Sequence, residues 1–199
     1  GATIAVVTKS GSNEFDGSVY YTKRDEGNVG DLPNGNEFPV FEEEIFSATL
    51  SGPIIKDKLF FFVGYEEFEK TEPFAYGPAG SGAANESEVA TADVFERIAS
   101  IAQSRYGFDA GQFQNLSFPE TAEEYKAKLD WNASDNHRFQ AQYRYKEELN
   151  VNNTGLNKFS TVSYTKPPET ERYSITYWGD LSDKLRVKAR YTDYSFVED

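Results

Sequence analysis

The chain of 199 residues carries a formal net charge of -13 and contains neither Cys nor Met. The acidic balance excludes a positive field that would attract nucleic acid, and the lack of Cys excludes disulfides and Cys-ligated zinc. Only 38% of the residues are hydrophobic, and these are rich in Phe (16) and Tyr (13), which fit pleated sheets better than helices. No run approaches the about 18 apolar residues of a membrane helix.

The first predicted elements are strands. Residues 5–8 form a short apolar strand, and residues 15–22 alternate between an apolar and a polar face. A polar, Gly-rich loop follows at 24–44. A hairpin then spans 45–69, with a charged tip at 56–58, and its second strand is apolar on both faces.

Residues 70–122 interrupt the alternation and predict one helix. The apolar residues at helical spacing are Val94, Phe95, Ile98 and Ile101. Gly107 is a typical C-terminal stop, and Asn85 with Glu88 resembles a capping box at the start.

Alternation returns in two further strand pairs, which turn at 132–137 and at 181–184 and are separated by a polar loop at 153–170. One face of these strands is small, aliphatic or aromatic. Cations on the other face form a stripe. The stripe consists of Lys126, Lys128, Arg138, Arg144, Lys146, Arg186, Lys188 and Arg190.

Tight turns therefore alternate with long loops, an asymmetry typical of membrane β-barrels. Aromatic residues on the apolar faces would form girdles at the two membrane interfaces. These are Tyr21, Tyr65, Tyr125, Tyr145, Tyr173 and Tyr191 near the loop-side ends, and Trp131 near the turn-side end. Alternation alone is equally typical of a soluble sandwich or lipocalin-like barrel, whose apolar face looks inward. The long loops and the small residues of the apolar faces favour the membrane barrel.

Three segments resemble parts of one family. GATIAVVTKSGSNEFDGSVYY resembles the junction between the plug and the barrel of TonB-dependent outer-membrane transporters. LSGPIIKDKLFFFVGYEEFEK resembles the hairpin of the second and third barrel strands in the Oar-like branch, and YKAKLDWNASDNHRFQAQYR resembles the next hairpin. The resemblance implies that residues 1–12 end the plug domain and that residues 13–199 form the N-terminal part of the barrel.

We therefore predict an all-β fold: an antiparallel transmembrane β-barrel segment of about seven strands, with one short helix in a long extracellular loop. Barrels of this family have about 22 strands around a plugged lumen. Because about seven strands cannot close, and because the sequence does not begin with Met, we expect the chain to be part of a longer protein.

The resemblance also implies a function. It is energised movement of a large solute across the outer membrane of a Gram-negative bacterium, with the turn at 53–58 facing the periplasm. The implied partners are outer-membrane lipid, the inner-membrane energy-coupling protein TonB acting through the plug, an unidentified ligand and a surface lipoprotein. Peptide, protein, glycan and chelated metal all remain open as ligands. The alternative is a β-rich binding or structural surface protein that transports nothing.

The stripe has two interpretations on this fold. As a lumen wall it would attract anionic solutes or pair with acidic plug residues. In the passive interpretation its side chains simply cover the face of the sheet that is exposed to water. Phe60 and Phe62 would point into the lumen beside the stripe and pack against the plug.

No pattern predicts an enzyme or a catalytic residue. His137 is the only histidine and lies beside a turn, and the sequence contains no nucleophile elbow or Gly-rich phosphate loop. Asp25, Asn28 and Asp31 recur every three residues in a Gly-rich loop, and their oxygens are of the kind that binds calcium. Their spacing does not match an EF-hand, and a solvated acidic loop explains them as well. We expect no cofactor, with calcium in the extracellular loops as the one ion that the residues allow.

Overall fold

The structure, a computed structural model, describes residues 9–30, 41–74, 76–83, 85–114, 116–152 and 157–198. These residues form ten β-strands and one α-helix, with 3₁₀ turns at Glu26–Asn28 and Ser160–Val162. The elements are β1 (Asp16–Asp25), β2 (Glu42–Ile55), β3 (Leu59–Pro73), β4 (Tyr76–Ala79), β5 (Asn85–Thr91), α1 (Ala92–Tyr106), β6 (Ser117–Ser134), β7 (His137–Asn152), β8 (Tyr164–Lys166), β9 (Pro168–Ser182) and β10 (Leu185–Glu198). The strand predicted at 5–8 lies outside the described residues.

Seven long strands form one antiparallel sheet in the order β1-β2-β3-β6-β7-β9-β10, and β8 adds a short pairing to β7. The seven strands run from 10 to 18 residues. That is enough for the about 9–11 residues that cross a bilayer in a tilted strand. In the described part of the chain, β1 pairs only with β2 and β10 only with β9, so the sheet is open at both edges. The predicted all-β fold with seven antiparallel strands and one helix is confirmed.

The connections are short at one end of the sheet and long at the other. Three hairpins turn at 56–58, 135–136 and 183–184, which we call the turn end. The connections 26–41, 74–116 and 153–167 lie at the opposite end, which we call the loop end. This arrangement confirms the alternation of tight turns and long loops predicted from the sequence.

The connection between β3 and β6 contains its own small unit. Strand β4 pairs in parallel with β5, and α1 follows β5 directly. Gly107 ends the helix in the left-handed region (φ 65°) and donates its N–H to the Gln103 carbonyl at 3.0 Å. No helix in the described part of the chain is long and apolar enough to cross a membrane.

The predicted capping box is wrong. Asn85 and Glu88 lie within β5, where pairing with β4 holds the backbone extended. The N-cap is Thr91, whose hydroxyl donates to the Asp93 carboxylate in the first turn of the helix. The periodic apolar residues predicted the helix correctly, but the tertiary pairing of β5 decided where it begins.

Gly52 in β2 allows an aromatic contact across the first strands. The Phe15 ring lies over Gly52 and pairs with the Phe61 ring at a centroid distance of 6.3 Å. A Cβ on Gly52 would lie 2.8 Å from Phe15 Cε1, so a side chain there would displace the ring. Gly64 in β3 differs, because a Cβ there would lie 3.5 Å from the Phe62 ring, an ordinary contact.

We expect Gly52→Ala to lower the free energy of unfolding by about 1–3 kcal/mol, because the added methyl group displaces Phe15. The matched variant Gly64→Ala has room for its methyl group and should change stability little. Denaturant unfolding of the protein in detergent or lipid measures both. Equal losses for the two variants would contradict the packing described at Gly52.

Candidate functional site

The sheet exposes its apolar face and buries part of its polar face, which is the reverse of a soluble sheet. On the apolar face, Val19, Ile175 and Leu129 are 74%, 55% and 44% exposed. On the polar face, Thr176 is 1% and Lys128 is 7% exposed. A soluble sheet buries its apolar face against a second layer, and the described residues place no such layer over this one. The apolar face therefore offers its side chains to a medium outside the sheet.

Strand register arranges the aromatic residues of the apolar face in rows that cross the sheet. Tyr65, Tyr125 and Tyr145 form one row, with successive ring centroids 5.0 and 6.3 Å apart. Tyr21 lies one row nearer the loop end. Tyr191, on the edge strand β10, lies two rows nearer the turn end, about midway along its strand.

Further aromatic pairs extend this surface toward the turn end. Tyr173 pairs with Tyr143 at 4.9 Å, one row from the Tyr65 row. Trp131 stacks on Phe139 at 5.3 Å, and Phe139 packs on Tyr177 at 4.9 Å, close to the hairpin turns. The girdle inferred from sequence omitted Tyr143, Phe139 and Tyr177, although their parity along the strands places them on the same face.

A row of four glutamates lies directly beyond the tyrosine row, toward the loop end. Glu67, Glu123, Glu147 and Glu169 are paired successively across β3, β6, β7 and β9. Like charges directly opposite each other destabilise a sheet. The Tyr65 hydroxyl offsets part of this cost by contacting two of these carboxylates, at 3.2 and 3.0 Å. This row, which was not predicted from the sequence, ends the apolar band at its loop side.

The polar face carries all eight cations of the predicted stripe, and each has a partner. Lys126 and Arg144 bind Glu124, Lys128 lies 3.7 Å from Asp130, Lys146 lies 2.6 Å from Glu148, and Arg186 lies 3.3 Å from Asp180. Arg190 donates to the Thr176 hydroxyl at 3.0 Å, and Arg138 and Lys188 lie 4.2 and 5.5 Å from the Trp178 ring centroid.

Acidic residues interleaved with the stripe make it a charge-compensated network. Glu124 is only 6% exposed and receives Arg144 from the neighbouring strand and Lys126 from its own strand. A buried carboxylate is tolerated when it is paired and hydrogen-bonded in this way. Only the cations of this network were predicted from the sequence. The acids share their even positions along β6 and β7, so the same alternation could have identified them.

The described N-terminal residues lie against the polar face. Lys128 Nζ donates to Ser10 Oγ at 2.6 Å and to the Lys9 carbonyl at 3.3 Å. Lys128 is nearly buried, so these contacts supply acceptors for a charge that lies out of water. This lysine therefore joins the start of the described chain to the middle of the sheet.

A second contact joins the same N-terminal residues to the turn end. Asn13 Nδ2 donates to Asp57 Oδ1 at 2.6 Å, and Asn13 Oδ1 accepts the Asp57 N–H at 2.8 Å. Gly11 lies so close to the hairpin that a Cβ on it would be 2.5 Å from the Phe61 carbonyl oxygen. Residues 9–13 are thus seated on the first hairpin.

At the loop end, aromatic packing clasps the loop after β3 to the loop after β7. Phe95 of α1 is 4% exposed, stacks on Phe113 at 4.9 Å and meets Phe159 edge-on at 5.3 Å. The Ser160 N–H donates to the Gln112 carbonyl at 2.7 Å and ties the two loops a second time. The helix exposes another apolar set, Val94, Ile98 and Ile101.

Glu86 organises the turn between β4 and β5. Its carboxylate accepts the N–H groups of Gly80 at 2.8 Å and Gly82 at 2.6 Å. These two backbone hydrogen bonds, that from Gly80 first, lower the pKa of Glu86 below its ordinary value because they stabilise the charged carboxylate. Both glycines have positive φ, 79° and 81°, so the turn depends on them.

The weak calcium candidates are only partly described. Asn28 Nδ2 donates to Asp25 Oδ1 at 2.8 Å, and Asp31 lies outside the described residues. Within the described ranges, no group of three or more His, Cys, Asp or Glu side chains is arranged to hold a metal ion. His137 Nδ1 lies 2.7 Å from the Tyr177 hydroxyl, with the two rings stacked beside the β6–β7 turn.

Comparison with known proteins agrees with a sheet that exposes its apolar face. Residues 7–77 match the family described as outer membrane beta barrel domain. The sheet is a segment of an outer-membrane β-barrel, and it places the protein in the bacterial outer membrane.

A named relative is similar over part of the chain. The "TonB-dependent transporter Oar" of Myxococcus xanthus is 43% identical over an alignment of 77 residues, and the match covers 33% of this chain and 7% of the relative. The aligned part of the chain therefore spans a small fraction of that protein. No solved structure matches the chain.

Neighbouring residues of β7 test which face meets lipid. Ala141 pairs with Leu129 and Ile175 on the apolar face, whereas Gln142 pairs with Lys128 and Ser174 on the polar face. We expect Ala141→Arg to destabilise the protein by about 2–4 kcal/mol, the cost of a cation facing the bilayer midplane. Gln140→Arg, one residue away on the polar face and opposite Asp130 and Thr176, should cost much less. Unfolding in lipid vesicles measures both, and an equal or reversed loss would contradict the assignment of the faces.

The lowered pKa of Glu86 predicts a pH effect in the loop. Because the carboxylate is charged more readily in the folded turn, its contribution is present above the ordinary glutamate pKa and is lost as pH falls through the folded pKa. Amide chemical shifts of Gly80 and Gly82 should therefore move together on acidification, with a midpoint below that of a free glutamate. Glu86→Gln should abolish this titration. A midpoint at or above the ordinary value would contradict the two hydrogen bonds.

Proposed function

We propose that this chain forms part of the wall of an outer-membrane transporter, with lipid on its apolar face and a plugged lumen on its polar face. The observation that carries the proposal is the contact of Lys128 with Ser10 and Lys9. In this reading, residues 1–12 are the end of a plug that enters the lumen along the polar wall. Residues 13–199 are then the first strands of the barrel.

The composition of the polar wall supports a lumen in which the plug changes its position. Its cations are held by acids of the same face, by Thr176 and by Trp178, so the wall keeps its side chains in place when a plug moves past it. An uncompensated row of cations would instead hold an acidic plug tightly. The proposed mechanism is rearrangement of the plug, driven by the inner-membrane protein TonB. The Myxococcus xanthus relative, described as a TonB-dependent transporter, supports this energy source.

The loop end supports capture of a large solute from outside. The clasp between Phe95, Phe113 and Phe159 fixes two loops as one body, and α1 exposes Val94 and Ile98 beside it. An ordered apolar surface at the mouth is suited to a ligand too large for porins. We extend the proposal to a peptide, protein, glycan or chelated metal as solute, with a surface lipoprotein and loop-bound calcium as further partners.

We expect the protein to deplete one class of solute from the medium by an energised route. A strain that lacks the gene, and the same strain with the gene restored, are grown on a mixture of peptides, glycans and metal chelates, and the remaining solutes are measured by mass spectrometry. One class should disappear only where the gene is present. A protonophore should stop this depletion, because TonB-driven plug movement requires the energised inner membrane.

The controls separate transport from binding alone. Passive adsorption would persist with the protonophore, and it would support a non-transport surface protein instead. An identical depletion profile in all strains, with the protein confirmed in the outer membrane, would contradict the proposed transport.

A further inference from the structure

We infer that Asn13 and Asp57 are positioning residues which hold residues 9–13 on the first hairpin during transport. The inference rests on the transporter function proposed above, because it concerns how a plug is held during transport. It assigns a fixed pivot at the turn end of the sheet. The anchor is carried by three separate contacts, at the hairpin tip, along the hairpin strands and on the polar wall.

The first contact is a reciprocal pair of hydrogen bonds. Asn13 uses both ends of its side-chain amide, donating to the Asp57 carboxylate at 2.6 Å and accepting the Asp57 N–H at 2.8 Å. A hydrogen bond to an ionised carboxylate is stronger than one between neutral groups. Asp57 has φ 65°, a backbone conformation that Asp and Asn adopt more readily than most residues. Only Asn offers a donor and an acceptor at this length of side chain.

The hairpin tip is itself hydrogen-bonded to a neighbouring strand, so the anchor is attached to an ordered turn. The Asn132 N–H donates to the Lys58 carbonyl at 2.7 Å, and the Asn132 side chain donates to the Asp57 carbonyl at 3.3 Å. These bonds join the β2–β3 turn to β6. Force applied to residues before 9 therefore reaches two hairpins of the wall rather than one mobile turn.

The other two contacts keep the segment flat against the sheet. Gly11 approaches the Phe61 and Gly52 carbonyl oxygens so closely that its Cβ would lie 2.5 and 2.9 Å from them, which no side chain tolerates. Beyond it, Lys128 holds Ser10 and the Lys9 carbonyl. Three contacts within five residues leave little freedom for this segment.

A charge swap tests the hydrogen-bonded pair. In the full protein in native outer membranes, a spin label on Ser12→Cys reports the mobility of the segment, and the described chain has no other Cys. Asn13→Asp faces two carboxylates against each other and should convert the restrained spectrum to a mobile one. Asn13→Asp combined with Asp57→Asn allows both hydrogen bonds again, because the carboxylate at position 13 accepts the N–H and the side-chain amide of position 57, and it should restore the restrained spectrum.

The rescue decides the outcome even if one variant is unstable. A mobile spectrum in the double variant, with normal amounts in the outer membrane, would overturn the pair. So would a restrained spectrum in Asn13→Asp alone. This readout requires no solute, so it stands whether or not the depletion experiment finds transport.

Cross-linking tests the pivot. Cysteines in place of Ser12 and Lys56, the exposed neighbours of the pair, leave Asn13 and Asp57 intact. They are joined in living cells by a short bis-thiol reagent, with and without a protonophore. A fixed anchor gives the same cross-linked fraction in both conditions. A several-fold lower fraction in energised cells would overturn the pivot, because the segment would then leave the hairpin during transport. That result would leave the transport proposal intact.

Discussion

The structure depends on strand register, because a bilayer offers the backbone no hydrogen-bonding partner. Every polar backbone group in the spanning region must bond to a neighbouring strand, and the pairing that achieves this also decides which side chains point outward. Here one register places Leu129, Ala141 and Ile175 side by side on one face. A slip of one residue in β7 would turn Gln140 and Gln142 toward that face.

The polar wall follows from the same constraint. Because apolar residues face outward, every alternate residue faces the other side. On the seven long strands many of these residues are charged, and some of them are buried. The structure resolves this by pairing, as between Glu124 and Arg144, and by using the N-terminal segment as a ligand for Lys128. The wall and the segment therefore form one network, and the anchor at Asn13 extends it to the turn end.

Local periodicity allowed much of the fold to be predicted. The seven strands, the tight turns, the helix and its end at Gly107 all follow from patterns within about 20 residues of sequence. The acids of the polar face and three aromatic residues were missed although local alternation marks them, whereas other missed features depend on residues distant in sequence. The Glu67–Glu123 contact joins β3 to β6, and the Lys128–Ser10 bond spans 118 residues. The wrong helix start had the same origin, since β5 is held extended by its pairing with β4.

The central claim is that odd-numbered residues of β7 meet lipid and even-numbered residues meet water. Spin labels at single positions from 138 to 146, in the protein in lipid vesicles, test it through collision with oxygen, which partitions into lipid, and with a water-soluble nickel chelate. We expect the oxygen-to-nickel ratio to alternate with a period of two, highest at 139, 141 and 143. A ratio without alternation, or odd positions shielded from both reagents as in a packed soluble core, would contradict the account.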